Sequence, residues 1–249
     1  MEVLGLLRTV AIVGYKKRGK TKIVEGLIRE LKNRGHQVGT IKHVPEEKFT
    51  VNRRGSDTWR HAQAGANPVV CISPWEVAVL RKRRAKLEEI LREFSVVDFV
   101  VLEGFKGSEI IAKVIVARNE SEASELTDDL TIGFIGHGVG KQPVLKLGDF
   151  KALANLVEQR ATPLVGGLDC GECGFPSCKD FIVAVLKGRA APDGCRALKG
   201  RVSLIVDGRK VPLKSFMQDL VAGVIAGMLS SMKGAEGENI ELKVSGHAR

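Results

Sequence analysis

A glycine-rich segment near the start of the chain constrains the fold more than any other feature. Residues 14–21 read Gly-Tyr-Lys-Lys-Arg-Gly-Lys-Thr and match the pattern G-x-x-x-x-G-K-[ST]. An apolar run at 10–13 precedes the segment, and residues 22–34 follow it with the apolar periodicity of a helix. A glycine-rich loop between a strand and a helix directs backbone N–H groups toward one point at the positive end of the helix dipole. The sequence therefore predicts a loop that binds a nucleoside triphosphate.

The positions of this phosphate loop have distinct expected roles. Lys20 is expected to reach the terminal phosphates, and the Thr21 hydroxyl is expected to coordinate Mg²⁺. An ordinary glycine turn is the alternative interpretation, and the flanking strand and helix favour nucleotide binding. The other predicted nucleotide-binding positions of the loop are Gly14, Tyr15, Lys16, Lys17, Arg18 and Gly19.

The order of apolar segments predicts the architecture. Over residues 1–160, strand and helix patterns alternate, as in an α/β protein of the P-loop NTPase type, with a mostly parallel sheet and helices on both faces. A linker that begins at residue 161 leads to a smaller α+β domain, residues 161–249. In the first domain the predicted strands are 10–13, 37–41, 67–72, 76–80, 96–102, 110–116 and 131–135, and the predicted helices are 22–34, 57–65, 87–94 and 149–158.

A carboxylate for Mg²⁺ is expected at the carboxyl end of a buried strand. Ligands of open α/β sheets lie at this edge, and Glu103 follows the nearly continuous apolar run 96–102. Asp98 is the alternative, but it lies near the entrance of the strand and reads as a strand-start residue. Lys106 continues the same loop and is expected at the same edge. Glu103 is therefore the preferred second magnesium ligand.

Four of the five cysteines fall within a short segment and predict a metal site. Their spacing is Cys170-x2-Cys173-x4-Cys178-x16-Cys195. Zinc and iron–sulfur clusters both accept four sulfurs, but structural zinc sites tend to pair two C-x2-C knuckles, whereas here the fourth cysteine stands alone. Cys71 lies in an apolar strand-like run and is expected to be a buried, inert thiol.

The segment around these cysteines resembles a known cluster-binding domain. Residues 170–178 read Cys-Gly-Glu-Cys-Gly-Phe-Pro-Ser-Cys, a helix is predicted at 179–187, and a turn at 192–194 returns the chain to Cys195. This resembles the four-cysteine 4Fe–4S domain of corrinoid iron–sulfur proteins, and the resemblance implies a 4Fe–4S cluster, with zinc as the alternative. Beyond this segment, the sequence predicts a hairpin with strands at 202–206 and 210–213 and a turn at Asp207-Gly208. A long helix with an apolar face follows and ends at Gly234. A flexible connection at 234–237 then leads to a last predicted strand at 240–244.

Composition narrows the class of protein. The chain has 249 residues and a formal net charge of +10, and its basic clusters, around the phosphate loop and at 81–86, suit polyanions. Among polyanions, nucleic acid is the weaker expectation, because aromatic residues are only 5% of the chain and do not alternate with the basic ones. For the cluster at 81–86, a solvated charged face is the simpler interpretation. No apolar run is long enough to span a bilayer, and the first residues do not resemble a secretory signal. We therefore expect a cytoplasmic protein without a membrane partner.

Several further motifs, in a fixed order, carry a closer resemblance. After the phosphate loop come Thr-Ile-Lys-His at 40–43, Gly-Ser-Asp-Thr-Trp-Arg-His at 55–61, Ala-Gly-Ala at 64–66 and Leu-Glu-Gly-Phe-Lys at 102–106. Over about residues 8–160 the chain resembles the molybdopterin-guanine dinucleotide biosynthesis adapter family, MobB. Fusion to a four-cysteine domain resembles a longer branch of that family.

The resemblance implies a GTP-binding adapter, usually a homodimer, that assists the molybdopterin guanylyltransferase joining GMP to the molybdopterin cofactor. It also implies that five matching side chains line the pocket: Lys42, His43, Asp57, Arg60 and His61. Their alternative interpretation is a strand-end charge pair and a capped helix start. Two departures stand out, since Lys16, Lys17 and Arg18 replace small polar residues of the family's loop and no Asn-Lys-x-Asp motif selects guanine.

Three hypotheses follow. The first is this adapter, which would bind GTP, Mg²⁺ and a 4Fe–4S cluster. Weak Mg²⁺-dependent hydrolysis of GTP is compatible with it, because phosphoryl transfer needs little beyond positioned charge. The second is an iron–sulfur electron-transfer protein that is gated by nucleotide and unrelated to molybdenum. The third is a basic, nucleotide-dependent binder of nucleic acid.

Overall fold

The structure is a computed structural model, and it describes residues 7–94, 96–198, 202–206, 209–232 and 240. The chain divides into two compact units. The first unit comprises residues 1–164 and 182–193, and the second comprises residues 165–181 and 194–249.

A seven-stranded sheet organises the first unit. Six strands run parallel in the order β2-β5-β1-β6-β7-β8, and a short seventh strand, β9, pairs antiparallel with β1. Val10, Ile12 and Val101 are fully buried, as expected of central strands that are covered on both faces. The strands are β1 Arg8–Val13, β2 Val38–Lys42, β5 Phe99–Glu103, β6 Ala112–Ala117, β7 Thr131–Gly136, β8 Val144–Leu145 and β9 Thr162–Pro163.

Helices cover both faces of this sheet, so the predicted fold class is confirmed. On one face, Leu27 and Leu31 of α1 and Leu153 of α5 join the strand residues in the main core. On the other face, Leu91 of α3 and Ala123 of α4 pack against the sheet. The helices of this unit are α1 Lys20–Asn33, α2 Asp57–Gln63, α3 Leu87–Leu91, α4 Glu120–Leu126 and α5 Phe150–Arg160. The sequence patterns did not predict α4, β8 or β9.

The end of the first unit is joined to its beginning. In β9, Thr162 pairs with Thr9 of β1, and the two buried hydroxyl groups lie 3.2 Å apart. The Thr162 hydroxyl also accepts a hydrogen bond from the backbone N–H of Ala112 at 3.0 Å. The segment predicted as the start of a linker is therefore a short strand of the sheet.

Two predicted strands lie outside the main sheet. β3 (Val69–Ile72) and β4 (Val77–Leu80) pair only with each other among the described strands, as an antiparallel ribbon. Val69 of the ribbon is buried, but Val70 and Ile72 are exposed, and Cys71 between them is exposed as well. The expectation that Cys71 is a buried thiol was therefore wrong: an apolar run signals burial only where tertiary structure covers it.

The second unit is built from short elements and one long helix. They are α6 Cys178–Leu186, β10 Leu204–Val206, β11 Arg209–Val211 and α7 Ser215–Ser230. Helix α6 is shared, because its residues from 182 onward belong to the first unit. The antiparallel pairing of β10 with β11 confirms the predicted hairpin. The expected turn at 207–208, the helix end at Gly234, the connection at 234–237 and the strand residues after 240 lie outside the described residues. No helix within the described ranges is long and apolar enough to cross a membrane.

Candidate functional site

The phosphate loop lies between β1 and α1, as the sequence predicts. Gly14 passes so close to β6 that a Cβ atom there would lie 2.7 Å from the carbonyl oxygen of Val116. Gly19, just before α1, has φ +77°, and Lys17 has φ +63°. The N-cap residue Gly19 provides no side-chain bond to the first N–H groups of α1, and such N–H groups at a helix N-terminus stabilise an anion.

Three predicted side chains contact one another at the carboxyl edge of the sheet. Thr21 donates from its hydroxyl to the Glu103 carboxylate, with both oxygens at 3.1 Å. Lys42 Nζ lies 3.0 Å from Glu103 Oε1. These contacts arise because β2, β5 and β1 are neighbours, so that Lys42, Glu103 and the loop end at the same edge. Glu103 is nearly buried at 12% side-chain exposure, and its charge balances the cations around it.

Lys20 is folded back onto its own loop. Its Nζ donates to the carbonyl oxygen of Tyr15 at 2.7 Å. Burial lowers the pKa of Lys20 below its usual value, with Lys42 and Arg18 contributing in the same direction and Glu103 opposing them. A negatively charged group at the loop would therefore stabilise the charged form of this amine.

Arg18 is held by a residue that the sequence analysis did not single out. Its guanidinium binds the Glu122 carboxylate of α4 in a bidentate manner, with Nε 3.2 and 3.1 Å from the two oxygens. The same carboxylate accepts the backbone N–H of Arg118 at 3.1 Å. The hydrogen bond from Arg18 is the largest cause of the lowered pKa of Glu122. Nothing in the local sequence reveals this pair, because 104 residues separate its members.

The other predicted site residues fall into two groups. His43 joins the site through its backbone N–H, which donates to the Glu103 carbonyl at 3.0 Å, and its ring lies 5.1 Å from that of Phe105. Asp57, Arg60 and His61 are exposed on or near α2, and the contacts described for them do not include the phosphate loop. Lys106 contributes its backbone carbonyl to the buried Lys113 Nζ at 2.8 Å.

Two further residues or clusters that the sequence analysis considered make contacts elsewhere. Asp98 accepts the backbone N–H of Gln37 at 2.8 Å near the start of β5, as expected of a strand-start residue. In the second basic cluster, Arg83 pairs with Glu89 at 3.0 Å and Arg81 lies 3.8 Å from Glu93. These acidic partners reduce the net positive charge of that surface.

The four clustered cysteines surround one small cavity in the second unit. All four are partly exposed, and none is paired in a disulfide. The cavity wall between them is apolar, formed by Val165, Leu168, Phe175, Phe181 and Ala197. Burial is the largest influence on the Cys178 thiol and raises its pKa.

Backbone amides point at two of these sulfurs. The Gly166 N–H donates to Cys195 Sγ at 3.4 Å. Hydrogen bonds from the backbone of Gly167, Leu168 and Asp169 partly offset the effect of burial on Cys178. Amides that donate to thiolates stabilise their charge when they ligate iron, so the loop at 166–169 has the chemistry of a cluster-binding loop.

In the part of the chain that the structure describes, no three His, Cys, Asp or Glu side chains are grouped closely enough to hold one ion. The four thiols share only the lining of the cavity.

The cysteine loop also contacts the long helix of its unit. Glu172, between two of the cysteines, accepts the backbone N–H of Ser215 at 2.7 Å. It thereby caps α7, whose own N-cap residue, Lys214, provides no side-chain bond. The other carboxylate oxygen of Glu172 is buried without a hydrogen-bond partner. This contact orients the start of α7 on the cysteine loop.

Two known families match segments of the chain. The family described as "Molybdopterin guanine dinucleotide synthesis protein B" matches residues 9–136. A second family, described as "Putative Fe-S cluster", matches residues 167–197, the segment with all four cysteines.

Individual relatives extend the similarity along the chain. A "Putative molybdopterin-guanine dinucleotide biosynthesis adapter protein" of Methanocaldococcus jannaschii is 32% identical over 247 residues, which is 96% of this chain and 99% of the relative. The adapter protein of Haemophilus influenzae is 33% identical over 115 residues, 45% of this chain and 64% of the relative. The crystal structure of Bacillus subtilis MobB superposes with a TM-score of 0.53 at 21% identity, over 60% of this chain and 98% of that one, which shows a shared fold.

Proposed function

Because the chain belongs to the molybdopterin guanine dinucleotide synthesis protein B family, we propose that it is a GTP-binding adapter that assists a molybdopterin guanylyltransferase. The observation that carries the proposal is the convergence of Lys20, Thr21, Glu103 and Lys42 at one edge of the sheet. These are the groups that a nucleoside triphosphate and its Mg²⁺ require. The two alternative functions have less support. An electron-transfer protein unrelated to molybdenum is disfavoured because the family similarity concerns molybdopterin. A nucleic-acid binder is disfavoured because the second basic cluster is paired with glutamates.

The phosphate loop would act by positioning charge. Lys20 would exchange the Tyr15 carbonyl for the terminal phosphates, and Thr21 and Glu103 would turn from each other to Mg²⁺, directly or through water. Arg18, held by Glu122, would face the phosphates as a further cation. The described contacts assign no residue to orient an attacking water, so we propose an adapter whose GTP hydrolysis, if present, is slow.

The cysteine cavity is proposed to hold a 4Fe–4S cluster through Cys170, Cys173, Cys178 and Cys195. Three observations support this group over zinc: four thiols around one cavity, amide donors at two sulfurs, and similarity of this segment to an iron–sulfur family. When bound, the cluster would supply one-electron redox chemistry or a docking element. Thiolate ligands of this kind persist in a reducing compartment, and we therefore place the protein in the cytoplasm.

Homodimerisation is proposed to use the β3–β4 ribbon. Isolated two-stranded ribbons are marginally stable in water, and this one exposes Ile72 by 74%, Trp75 by 98% and Val77 by 64%. A second copy of the same ribbon would cover these side chains and complete the hydrogen bonds of its edge strands. The molybdopterin cofactor would then be presented by the guanylyltransferase to a dimeric adapter.

The function is tested with the whole chain and a molybdopterin guanylyltransferase. We expect the two proteins to associate in a pull-down and the adapter to raise the transferase rate when GTP is limiting. A Lys20→Ala variant is expected to associate but to lose the stimulation, because it lacks the cation for the phosphates. Folded proteins that neither associate nor show stimulation would contradict the adapter function.

A further inference from the structure

The long helix α7 exposes an unusual amount of apolar surface. Its inward side is marked by Gln218, which is buried and donates from its side-chain amide to the Leu213 carbonyl at 3.0 Å. On the opposite side the large apolar residues are between 50% and 64% exposed. They are Phe216, Leu220, Val224, Met228 and Met232. An apolar patch of this kind marks an interaction surface.

These five residues form a single ridge. Four of them recur at every fourth position of α7 and so lie along an i±4 row that is inclined to the helix axis, and Met232 continues this spacing just beyond the end of the helix. The next row on the same exposed side of α7 consists of short residues: Ser215, Asp219, Gly223 and Gly227. A Cβ atom added at either glycine would meet no atom within 4 Å. A ridge of large side chains therefore lies beside an unfilled groove of the same inclination.

A ridge and a groove of equal inclination on one helix are complementary to a second copy of that helix. When i±4 ridges of two helices interdigitate, the axes cross at about −50°, which is the commonest packing of helices in globular proteins. Glycines in the groove allow the two backbones to approach closely. Between Ser215 and Ser230 the only charged residue is Asp219, so two copies of the exposed face do not repel each other strongly.

The area of the face is sufficient for pairing. From their exposed fractions, the five ridge side chains present about 500 Å² per copy, or about 1,000 Å² for two copies, the size at which specific interfaces begin. We propose that the exposed face of α7 is a homotypic interface through which two copies of this chain pair, separately from the β3–β4 ribbon. The inference adds a second self-association surface to the proposed function and does not depend on nucleotide binding.

The test separates pairing by α7 from pairing by the ribbon. In the full-length, cluster-loaded chain, Ile72→Thr with Trp75→Ser makes the ribbon polar, and we expect sedimentation velocity to show that this variant still dimerises. Adding Gly227→Leu fills the groove and is expected to weaken association about tenfold or more. Gly227→Ala in the same background is the matched control, since it also raises helix propensity but keeps the residue small.

Each result decides between the two surfaces. Dimers that persist with Gly227→Leu and a polar ribbon would overturn the α7 interface, provided circular dichroism shows equal helix content. A polar-ribbon variant that is monomeric with an unaltered α7 would also overturn it, even if the helix face binds the guanylyltransferase. If Gly227→Leu alone makes the chain monomeric, the α7 interface stands and the ribbon proposal fails.

Discussion

The phosphate loop and the cysteine loop are both glycine-rich, but they are supported differently. The phosphate loop is fixed by neighbouring strands of a sheet whose residues, such as Ile12 and Val101, are fully buried. In the described part of the second unit, five residues are buried: Val165, Gly166, Phe181, Ala197 and Gln218. Three of them, Val165, Phe181 and Ala197, are apolar side chains that line the cysteine cavity.

This difference indicates how each site relates to the stability of its unit. In the first unit the polar side chains of the candidate site already contact one another, Thr21 and Lys42 with Glu103 and Arg18 with Glu122. In the second unit the cavity lies among the few buried apolar residues, and the proposed cluster would contribute to folding. We therefore expect a ligand to bind a preformed site in the first unit and to help to form the site in the second.

The largest expected effect is on the second unit when a central cysteine is replaced. Cys173→Ser is expected to prevent stable cluster assembly and to make residues 165–181 and 194–232 sensitive to limited proteolysis, because the cavity then lacks both its cluster and a packed core. The first unit of the same variant is expected to retain GTP binding. Iron and zinc analysis after anaerobic purification, the visible spectrum and mass spectrometry of the fragments measure these outcomes.

Cys71→Ser is the control for that experiment, since Cys71 is exposed and far from the other cysteines in sequence. It should leave iron content and proteolysis unchanged. Stoichiometric zinc without iron in the wild-type protein would refute the iron–sulfur cluster while preserving the four-thiol site. A Cys173→Ser variant with a protease-resistant second unit would contradict the dependence of that unit on the cluster.

A smaller effect is expected from Lys20→Ala in the first unit. Loss of its charged hydrogen bonds to the phosphates should weaken GTP affinity on the order of 10- to 100-fold, while the melting temperature stays close to that of the wild type. Titration calorimetry measures the affinity, and Lys32→Ala, in the last turn of α1, controls for the loss of one positive charge. Equal affinities in Lys20→Ala and the wild type would reject the phosphate-loop assignment.

The smallest effect concerns the Arg18–Glu122 pair. Glu122→Gln should weaken GTP binding about threefold to tenfold, because Arg18 is no longer held by a bidentate partner. Glu120→Gln, on the same helix and exposed, is the matched control and should bind as the wild type does. If the two variants bind alike, Glu122 does not position the loop.

The same pair predicts a dependence of stability on pH. Arg18 lowers the pKa of Glu122 below its ordinary value of 4.5, so the pair stabilises the folded state above that pH and loses this effect as the pH falls through the lower, folded-state pKa. Denaturation curves of the wild type and Glu122→Gln should therefore differ at neutral pH and converge in acid. A constant difference across this range would show that the carboxylate charge is not responsible.

The sequence predicted the parts of the site that depend on local pattern. The phosphate loop is contiguous, and Glu103 follows a strand whose apolar run identifies it as central, so both could be placed at one edge by the rules of α/β sheets. The contact of Lys42 with Glu103 depends on the order of strands, which the sequence did not predict; the family resemblance implied only that Lys42 lines the pocket. The sequence did not indicate the Arg18–Glu122 contact. Because α4 lacks a strong apolar stripe, the helix that carries Glu122 was itself not predicted.

Burial was harder to predict than secondary structure. The runs at 67–72 and 76–80 do form strands, but their pattern contains no information about whether another layer covers them, and the ribbon is exposed. The apolar stripe of α7 has the same ambiguity, since a core-facing stripe and an interface stripe have identical spacing. The burial expected for Cys71 was therefore wrong, whereas for α7 the sequence left core and interface open.

The pairing of β9 with the first residues of β1 also bears on how such a chain could have arisen. Because the sheet's last described strand lies beside its first, the polypeptide leaves the sheet where the sheet is already complete. The Bacillus subtilis structure aligns over 98% of its own length with 60% of this chain. A gene for a cysteine-rich module could thus be fused after β9 without disturbing any hydrogen bond of the sheet, and the same point offers a natural place to graft a different module.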